Sequence, residues 1–242
     1  MKKSYVIPAA GLGTRMADFT KGQSKEILYA GKKTVLEYCV EESESTDYDD
    51  IIIVSNKDKK DLNKFIKTNL TDIKIVFQDT RKGLGDAVRI GFEHTKADFT
   101  AVALPDELCI KYKKLWDKMW NLARSTDSLI IGAKPVPLSQ AHLYGVIIGD
   151  YAKYDVIKTI HIVEKPDKNM IPSRVAAMGR YIFPKLFFKY LKTDLSEAIN
   201  NYIDDGHDVY TVEYEDDVFD CGSPSGYKKA LRYFDEGAYF AS

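Results

Sequence analysis

The chain has 242 residues, with 35 Lys and Arg against 36 Asp and Glu, for a formal net charge of −1. Such a balance gives no overall basic field for nucleic acid, so any anion site must be local. The length suits a single α/β domain with a substantial core, and no apolar segment reaches the length of a bilayer span, so a soluble, cytoplasmic protein with no membrane partner is expected.

SYVIPAA (4–10), DIIIVS (50–55), IKIVF (73–77) and FTAVALP (99–105) read as buried strands. VLEYCVEE, KKDLNKFIKTNL and GLGDAVRIGFEHT between them carry apolar residues at helical spacing. Strand alternating with helix predicts a parallel sheet covered on both faces. YKKLWDKMWNLARS (112–125) predicts a further covering helix, with Trp116 and Trp120 on its core face. SLIIGAKPV, YGVIIGD, IKTIHIVEKP and RVAAMGRYIF read as strands with turn-rich joints, so the sheet becomes mixed. Helices at Pro184–Leu191 and Asp194–Asp205, the strand DVYTVEY, the segment VFDCG and a helix near Pro224–Phe234 complete the chain. Cys39, Cys109 and Cys221 match neither a disulfide framework nor a zinc site. The four histidines are scattered and read as structural or surface residues.

The first strand runs into AAGLGTRM, with Arg15, Lys21 and Lys25 following. Consecutive backbone N–H groups at a glycine turn form an anion-binding concavity, and Gly11 and Gly13 let a ligand approach the backbone. Met16 stands where a dinucleotide-binding loop has its third glycine, and the Gly-Lys-Ser/Thr of a P-loop is missing. A phosphate site served by side-chain cations remains, alongside the plain reading of a tight turn beside solvated charges. Asp106 in ALPDEL and Asp220 in VFDCG both sit at strand ends, where open α/β sheets bind ligands. Two such carboxylates suit Mg²⁺, although either alone also suits a turn or helix cap. Gln78 offers an amide suited to a base edge, Gly83 opens a second glycine turn, and Glu164 and Lys165 suit sugar hydroxyls and phosphate or a plain surface pair.

The ordered set VIPAAGLGTRM, SKE, FQDTRKGLGDAV, LPD, LYGVI, VEKP, GRYIF and DCGSPSGY resembles the bacterial sugar-1-phosphate nucleotidylyltransferases, and most of all the UTP–glucose-1-phosphate uridylyltransferases. The resemblance runs from Val6 to about Phe234. It implies a Rossmann-like fold with a mixed, mostly parallel sheet and helices on both faces. A nucleotide-binding half over about 1–110 and a sugar-binding half over about 111–242 are implied within one domain. The implied reaction is Mg²⁺-dependent: UTP and glucose 1-phosphate give UDP-glucose and pyrophosphate. By the same resemblance Ala9, Ala10, Gly11 and Gly13 lie against the nucleotide, and Gln78 and Gly83 face the base. Arg15 and Lys25 hold the triphosphate, and Asp106 and Asp220 hold the metal. Gly145, Glu164 and Gly179 contact the sugar, and Lys165 its phosphate.

Ala17 and Asp18 depart from the family's apolar residue and proline, and the stretch from Lys57 to Gln78 is shorter than usual. A homo-oligomer is admitted but not specified. dTTP or CTP in place of UTP, a non-catalytic binder of nucleotide sugars and an NAD(P)-dependent oxidoreductase are the alternatives. The missing third glycine and the cations weigh against the last.

Overall fold

Strands that are apolar on both faces need cover on both faces, and the alternation of side chains along each strand sorts the core into two layers. A computed structural model describes residues 1–44 and 46–236. The strands are β1 (Lys3–Pro8), β2 (Tyr29–Ala30), β3 (Lys33–Thr34), β4 (Asp50–Ser55), β5 (Lys74–Phe77), β6 (Phe99–Ala103) and β7 (Glu107–Cys109). They continue as β8 (Leu129–Pro135), β9 (Gly145–Lys153), β10 (Val156–Glu164), β11 (Val175–Pro184), β12 (Val209–Glu213) and β13 (Val218–Asp220). The helices are α1 (Ala17–Thr20), α2 (Val35–Ser43), α3 (Lys60–Asn69), α4 (Leu84–Glu93), α5 (Tyr112–Thr126), α6 (Leu138–Ala141), α7 (Leu195–Asp204) and α8 (Pro224–Glu236).

Nine strands form one sheet in the order β5-β4-β1-β6-β11-β8-β12-β10-β9. The first four in that order are mutually parallel. From β6 onward the pairings are antiparallel, apart from the parallel pair of β8 with β12. The parallel character therefore belongs to the first part of the chain, where helical crossovers join the strands. The chain moves from β1 outward through β4 to β5, then returns to place β6 on the other side of β1. That reversal opens a crevice beyond the carboxyl end of β1, the usual ligand position in such sheets.

On one face, Val6, Ile52, Val54 and Val102 pack beneath α4 and α7. On the other, Tyr5, Ile7, Ile53 and Ala101 pack beneath α2, α3 and α5. Trp116 and Trp120 are buried as the spacing predicts. Their indole N–H groups are satisfied by Glu42 Oε2 at 2.9 Å and Tyr48 Oη at 3.1 Å. Thr34 opens α2 with a capping box, its hydroxyl accepting from the Glu37 N–H while the Glu37 carboxylate accepts from the Thr34 N–H. The segment expected as a helix over Pro184–Leu191 is a 3-10 turn over Lys185–Tyr190. Its tighter winding eclipses positions three apart, which lets Phe187 and Tyr190 enter the same core layer. All three cysteines are free and buried. Among the described residues no helix is long and apolar enough to cross a membrane.

The least expected core feature is a charge. Arg180 in β11 is wholly buried, and so, at 1% exposure, is Glu42 of α2. The guanidinium meets the carboxylate at two points, Nε to Oε2 at 2.7 Å and Nη2 to Oε1 at 2.6 Å. It also donates to the carbonyl oxygens of Leu104 and Glu107, at 3.1 and 2.5 Å, which flank the turn leaving β6. Removing one partner of a buried pair leaves an uncompensated charge and typically costs about 3–5 kcal/mol. Glu42→Ala should lower unfolding free energy by about that amount in urea titrations. Arg180→Met combined with Glu42→Leu should lose less than the two single changes added together.

Candidate active site

The loop leaving β1 is held by a buried lysine that is not one of its own residues. Lys59 Nζ donates to the carbonyl oxygens of Ala9 at 2.8 Å and Gly11 at 3.0 Å, and to Glu26 Oε2 at 2.7 Å. Burial pulls its ammonium below the usual value, and Glu26 works in the opposite direction. With those carbonyl groups drawn back toward Lys59, the loop keeps a fixed shape beside the crevice. Gly13, at φ 66°, lets the Lys25 side chain pass within 3.2 Å of where a Cβ would stand. Ser24, next to Lys25, is tied to Asp61 by its N–H at 2.6 Å and its hydroxyl at 2.8 Å. Loop and lysine are thus both anchored to the start of α3.

Two cavities meet at the turn after β6. The smaller, about 410 Å³, is lined by the β1 loop from Ala10 to Thr14, Lys25, Gln78, Gly83 and Asp106. The larger, about 680 Å³, is lined by Arg15, Tyr144, Gly145, Lys165 and Gly179 among others. Gly83, Leu84, Leu104 and Asp106 belong to both walls. Asp220 and Glu164 lie on the larger cavity. Every predicted site residue except Ala9 therefore reaches a cavity wall. Ala9 is 1% exposed and its N–H bonds to Val54 O at 2.7 Å, so it lies behind the wall as a continuation of the β1–β4 pairing. Lys21, the third cation of the opening stretch, is exposed at a left-handed turn with φ 49°.

Asp106 and Asp220 lie more than a hundred positions apart in the chain and converge. β13 pairs with β7 in a two-stranded ribbon outside the main sheet, placing Asp220 opposite Glu107. A Cβ on Gly222 would lie 2.5 Å from Asp106 Oδ2, 3.0 Å from Asp220 Oδ1 and 3.3 Å from an Arg15 guanidinium nitrogen. One glycine-sized space is therefore bracketed by both carboxylates and a cation. Asp220 also caps its own turn, accepting from the Gly222 N–H at 2.9 Å, so its structural and site geometries coexist. Lys25 Nζ donates to Asp106 Oδ2. Burial pushes the Asp106 carboxyl up, but the Lys25 ammonium, its hydrogen bond and Arg15 outweigh this and hold it below the usual range. Among the described residues no three or more His, Cys, Asp or Glu side chains form a closed metal cage. Two open carboxylates suit Mg²⁺, which completes an octahedral shell with water and phosphate oxygens.

Glu107 is a third carboxylate that motif reading passed over. Its Oε2 accepts from the Gly179 N–H at 3.0 Å. Burial pushes its carboxyl up to about 7; Arg180 opposes this, and the negative Asp106 and Asp220 reinforce it. A group that binds its proton more tightly when folded favours the native state at low pH. The Glu107 contribution is therefore full below about 4.5 and is lost as pH rises towards about 7.

Farther along the larger cavity, Glu164 accepts from Ser196 Oγ at 2.9 Å and lies 3.2 Å from Lys165 Nζ. A Cβ on Gly145 would come within 2.9 Å of Glu164 Oε2, so glycine leaves that carboxylate its place. Lys165 sits at φ 45° with its amine largely exposed at the cavity wall. His142 also lines this cavity, whereas His207 stacks on Tyr202 at 4.3 Å as a packing residue. Lys59, Arg180 and Glu107 were not singled out from the sequence. The lone arginine within the apolar run VAAMGRYIF was the one available signal, since a charge there needs a buried partner. Lys59 stands in the run KDKK with nothing to distinguish it.

A family model described as nucleotidyl transferase matches residues 4–236. A UTP–glucose-1-phosphate uridylyltransferase of Staphylococcus epidermidis is 31% identical over 260 aligned positions, covering 94% of this chain and 90% of that protein. Among solved structures, a UDP-glucose pyrophosphorylase complexed with UDP-glucose has a TM-score of 0.87 and 27% identity, covering 98% of this chain and 100% of that one. A UTP-bound UGPase from Acinetobacter baumannii has a TM-score of 0.84 and 26% identity, covering 99% of this chain and 98% of that one.

Replacing Lys25 with Met should raise the Asp106 carboxyl from its depressed position, because burial then acts without its nearest counter-charge. A ¹³C carboxyl titration of wild type and variant measures the change.

Proposed function

Because the chain belongs to the nucleotidyl transferase family, we propose that it transfers a uridylyl group from UTP to glucose 1-phosphate, releasing pyrophosphate and forming UDP-glucose. The observation that carries this reading is the convergence of Asp106, Asp220 and Arg15 on one small space where two cavities meet. The smaller cavity suits the nucleotide, with the β1 loop against its phosphates and Gln78 and Gly83 against the base. The larger suits the sugar phosphate, with Gly145, Glu164 and Gly179 against the sugar and Lys165 against its phosphate. On this reading residues 1–110 form the nucleotide-binding half and 111–242 the sugar-binding half. The reaction belongs in the cytoplasm, where nucleoside triphosphates are made and used.

The nucleophile is a phosphate oxygen of glucose 1-phosphate, already ionised at neutral pH, so no general base is needed. It attacks the α-phosphorus of UTP in line. One oxygen–phosphorus bond forms while the bond to the β-phosphate oxygen breaks, and the electron pair leaves with pyrophosphate. The sugar C1–O bond is untouched, so the anomeric configuration is retained. The difficulty is bringing two polyanions together, which makes positioning and charge neutralisation the main catalytic contributions. Asp106 and Asp220 would hold Mg²⁺, which supplies positive charge to the reacting phosphates when bound. Arg15 and Lys25 neutralise charge accumulating on the departing pyrophosphate. Lys165, on its outward turn, aligns the incoming phosphate. Lys59 acts at one remove, keeping the β1 loop in a shape that accepts the triphosphate.

Pyrophosphate release from a panel of nucleotides and sugar phosphates tests the assignment, and UTP with glucose 1-phosphate should be the fastest pair. Release with no pair, from folded protein supplied with MgCl₂, would leave only a binding role. Asp106→Ala and Lys165→Ala should each cut turnover about 10²–10³-fold while far-ultraviolet circular dichroism stays unchanged. A wild-type rate in either variant removes that residue from the mechanism. Lys59→Met should raise KM for UTP more than it lowers kcat, because it loosens a binding loop without touching the reacting atoms.

A further inference from the structure

The base-facing amide is held in one orientation by chemistry. Gln78 is 3% exposed and lines the smaller cavity. Its Nε2 donates to Asp86 Oδ2 at 2.8 Å and to the Gly83 carbonyl oxygen at 3.1 Å. An ionised carboxylate and a carbonyl are both acceptors only. Turning the amide over would set Oε1 against two other oxygens, so the observed orientation is the one the surroundings permit. Both Nε2 hydrogens are then engaged. Oε1 accepts no hydrogen bond from the described residues and is not among the buried polar atoms left without a partner. Gln78 therefore has only an accepting group free for a ligand.

Asp86 is suited to hold this arrangement. It lies in the first turn of α4, is 6% exposed, and its second oxygen accepts from Arg89 at 2.8 Å. Burial pushes its carboxyl up, but the hydrogen bonds from Gln78 and Arg89 prevail and hold it below the usual range. It is thus an acceptor at neutral pH and cannot hand Gln78 a proton.

We propose that Asp86 is a positioning residue that locks the Gln78 amide with Oε1 toward the nucleotide base, so that the site selects a pyrimidine carrying N3–H over cytosine. Uracil and thymine carry a donor at N3, which an acceptor-only Gln78 can bind. Cytosine carries a lone pair at N3 and sets it against Oε1, and the locked amide cannot turn to offer N–H instead. The inference rests on the nucleotide-binding reading of the smaller cavity. It assigns base selection to a residue that does not itself touch the base.

Titration calorimetry of UTP and CTP, with MgCl₂ present and no sugar phosphate, reads this selection without turnover. Wild-type protein should bind UTP at least about tenfold more tightly than CTP, the worth of about one hydrogen bond that is made in one case and opposed in the other. Asp86→Ala should lower that ratio by about tenfold, chiefly by improving CTP binding. Asp86→Asn keeps the shape and the fold while offering Gln78 an N–H as well as an oxygen. It should lower the ratio by at least about threefold, and it decides the matter if the alanine variant does not fold. Arg89→Ala removes the same ion pair and spares the Gln78 contact, so a purely structural role for Asp86 predicts equal effects from both positions. The ratio should instead stay within about twofold of wild type in Arg89→Ala. Wild-type ratios in both Asp86 variants, or equal binding of UTP and CTP by the unaltered protein, would overturn the proposal. Pyrophosphate release, measured in parallel, separates the two readings. Selective UTP binding without release counts against the reaction and leaves Asp86 its role, whereas release without base selection does the reverse.

Discussion

A buried charge fixes the point where the two cavities meet. Arg180 stands in the middle of an apolar strand, and its desolvation is tolerable only because Glu42 answers it at two points. The remaining guanidinium hydrogens go to the carbonyl oxygens of Gly179 and of Leu104 and Glu107, the last two at either end of the turn that carries Asp106. α2, β11 and the carboxyl end of β6 are thereby joined at one place. An apolar side chain in place of Arg180 could fill the same volume but could not hold two backbone oxygens in register. The pair is therefore better understood as geometry than as stability.

Around that fixed turn the charges are arranged as partners. Asp106, Glu107 and Asp220 would repel one another if all were ionised and unopposed. Lys25 bonds to Asp106, Arg15 reaches the shared space, and Glu107 relieves the crowding by holding its proton up to about 7. A site built from near-cancelling charges leaves its fold little perturbed, and on the proposed reading Lys25 and Arg15 exchange their internal partners for a polyanionic ligand. The near-neutral overall composition fits this arrangement, because on the proposed reading steering and binding rest on a few local cations rather than on a global field.

The sheet was legible from the sequence because its strands are short apolar runs and its helices have a clear period. The two core layers then follow from alternation alone, Val6 on one side and Tyr5 and Ile7 on the other. The residues placed on cavity walls, from Ala10 to Asp220, were legible as an ordered set of motifs and not one by one. What stayed hidden are the supports. Lys59, Arg180 and Asp86 act through backbone carbonyls or another side chain, and such partnerships leave no fixed spacing in the chain. The 3-10 turn at Lys185–Tyr190 was read as a longer helix for a related reason, since its winding is set by where two aromatic rings must go. Asp220 was expected at the end of a sheet strand and instead ends the small β7–β13 ribbon, because a ribbon outside the sheet can lean toward Asp106.

The joining of β7 to β13 has a consequence for how the molecule comes into being. Its two halves are synthesised far apart in time, and contacts of such long sequence separation form late and slowly. A nascent chain on the ribosome can complete the β1 loop and the Asp106 turn while Asp220 has yet to emerge. Any chain cut short by premature termination or proteolysis before that ribbon closes carries half of the acidic pair.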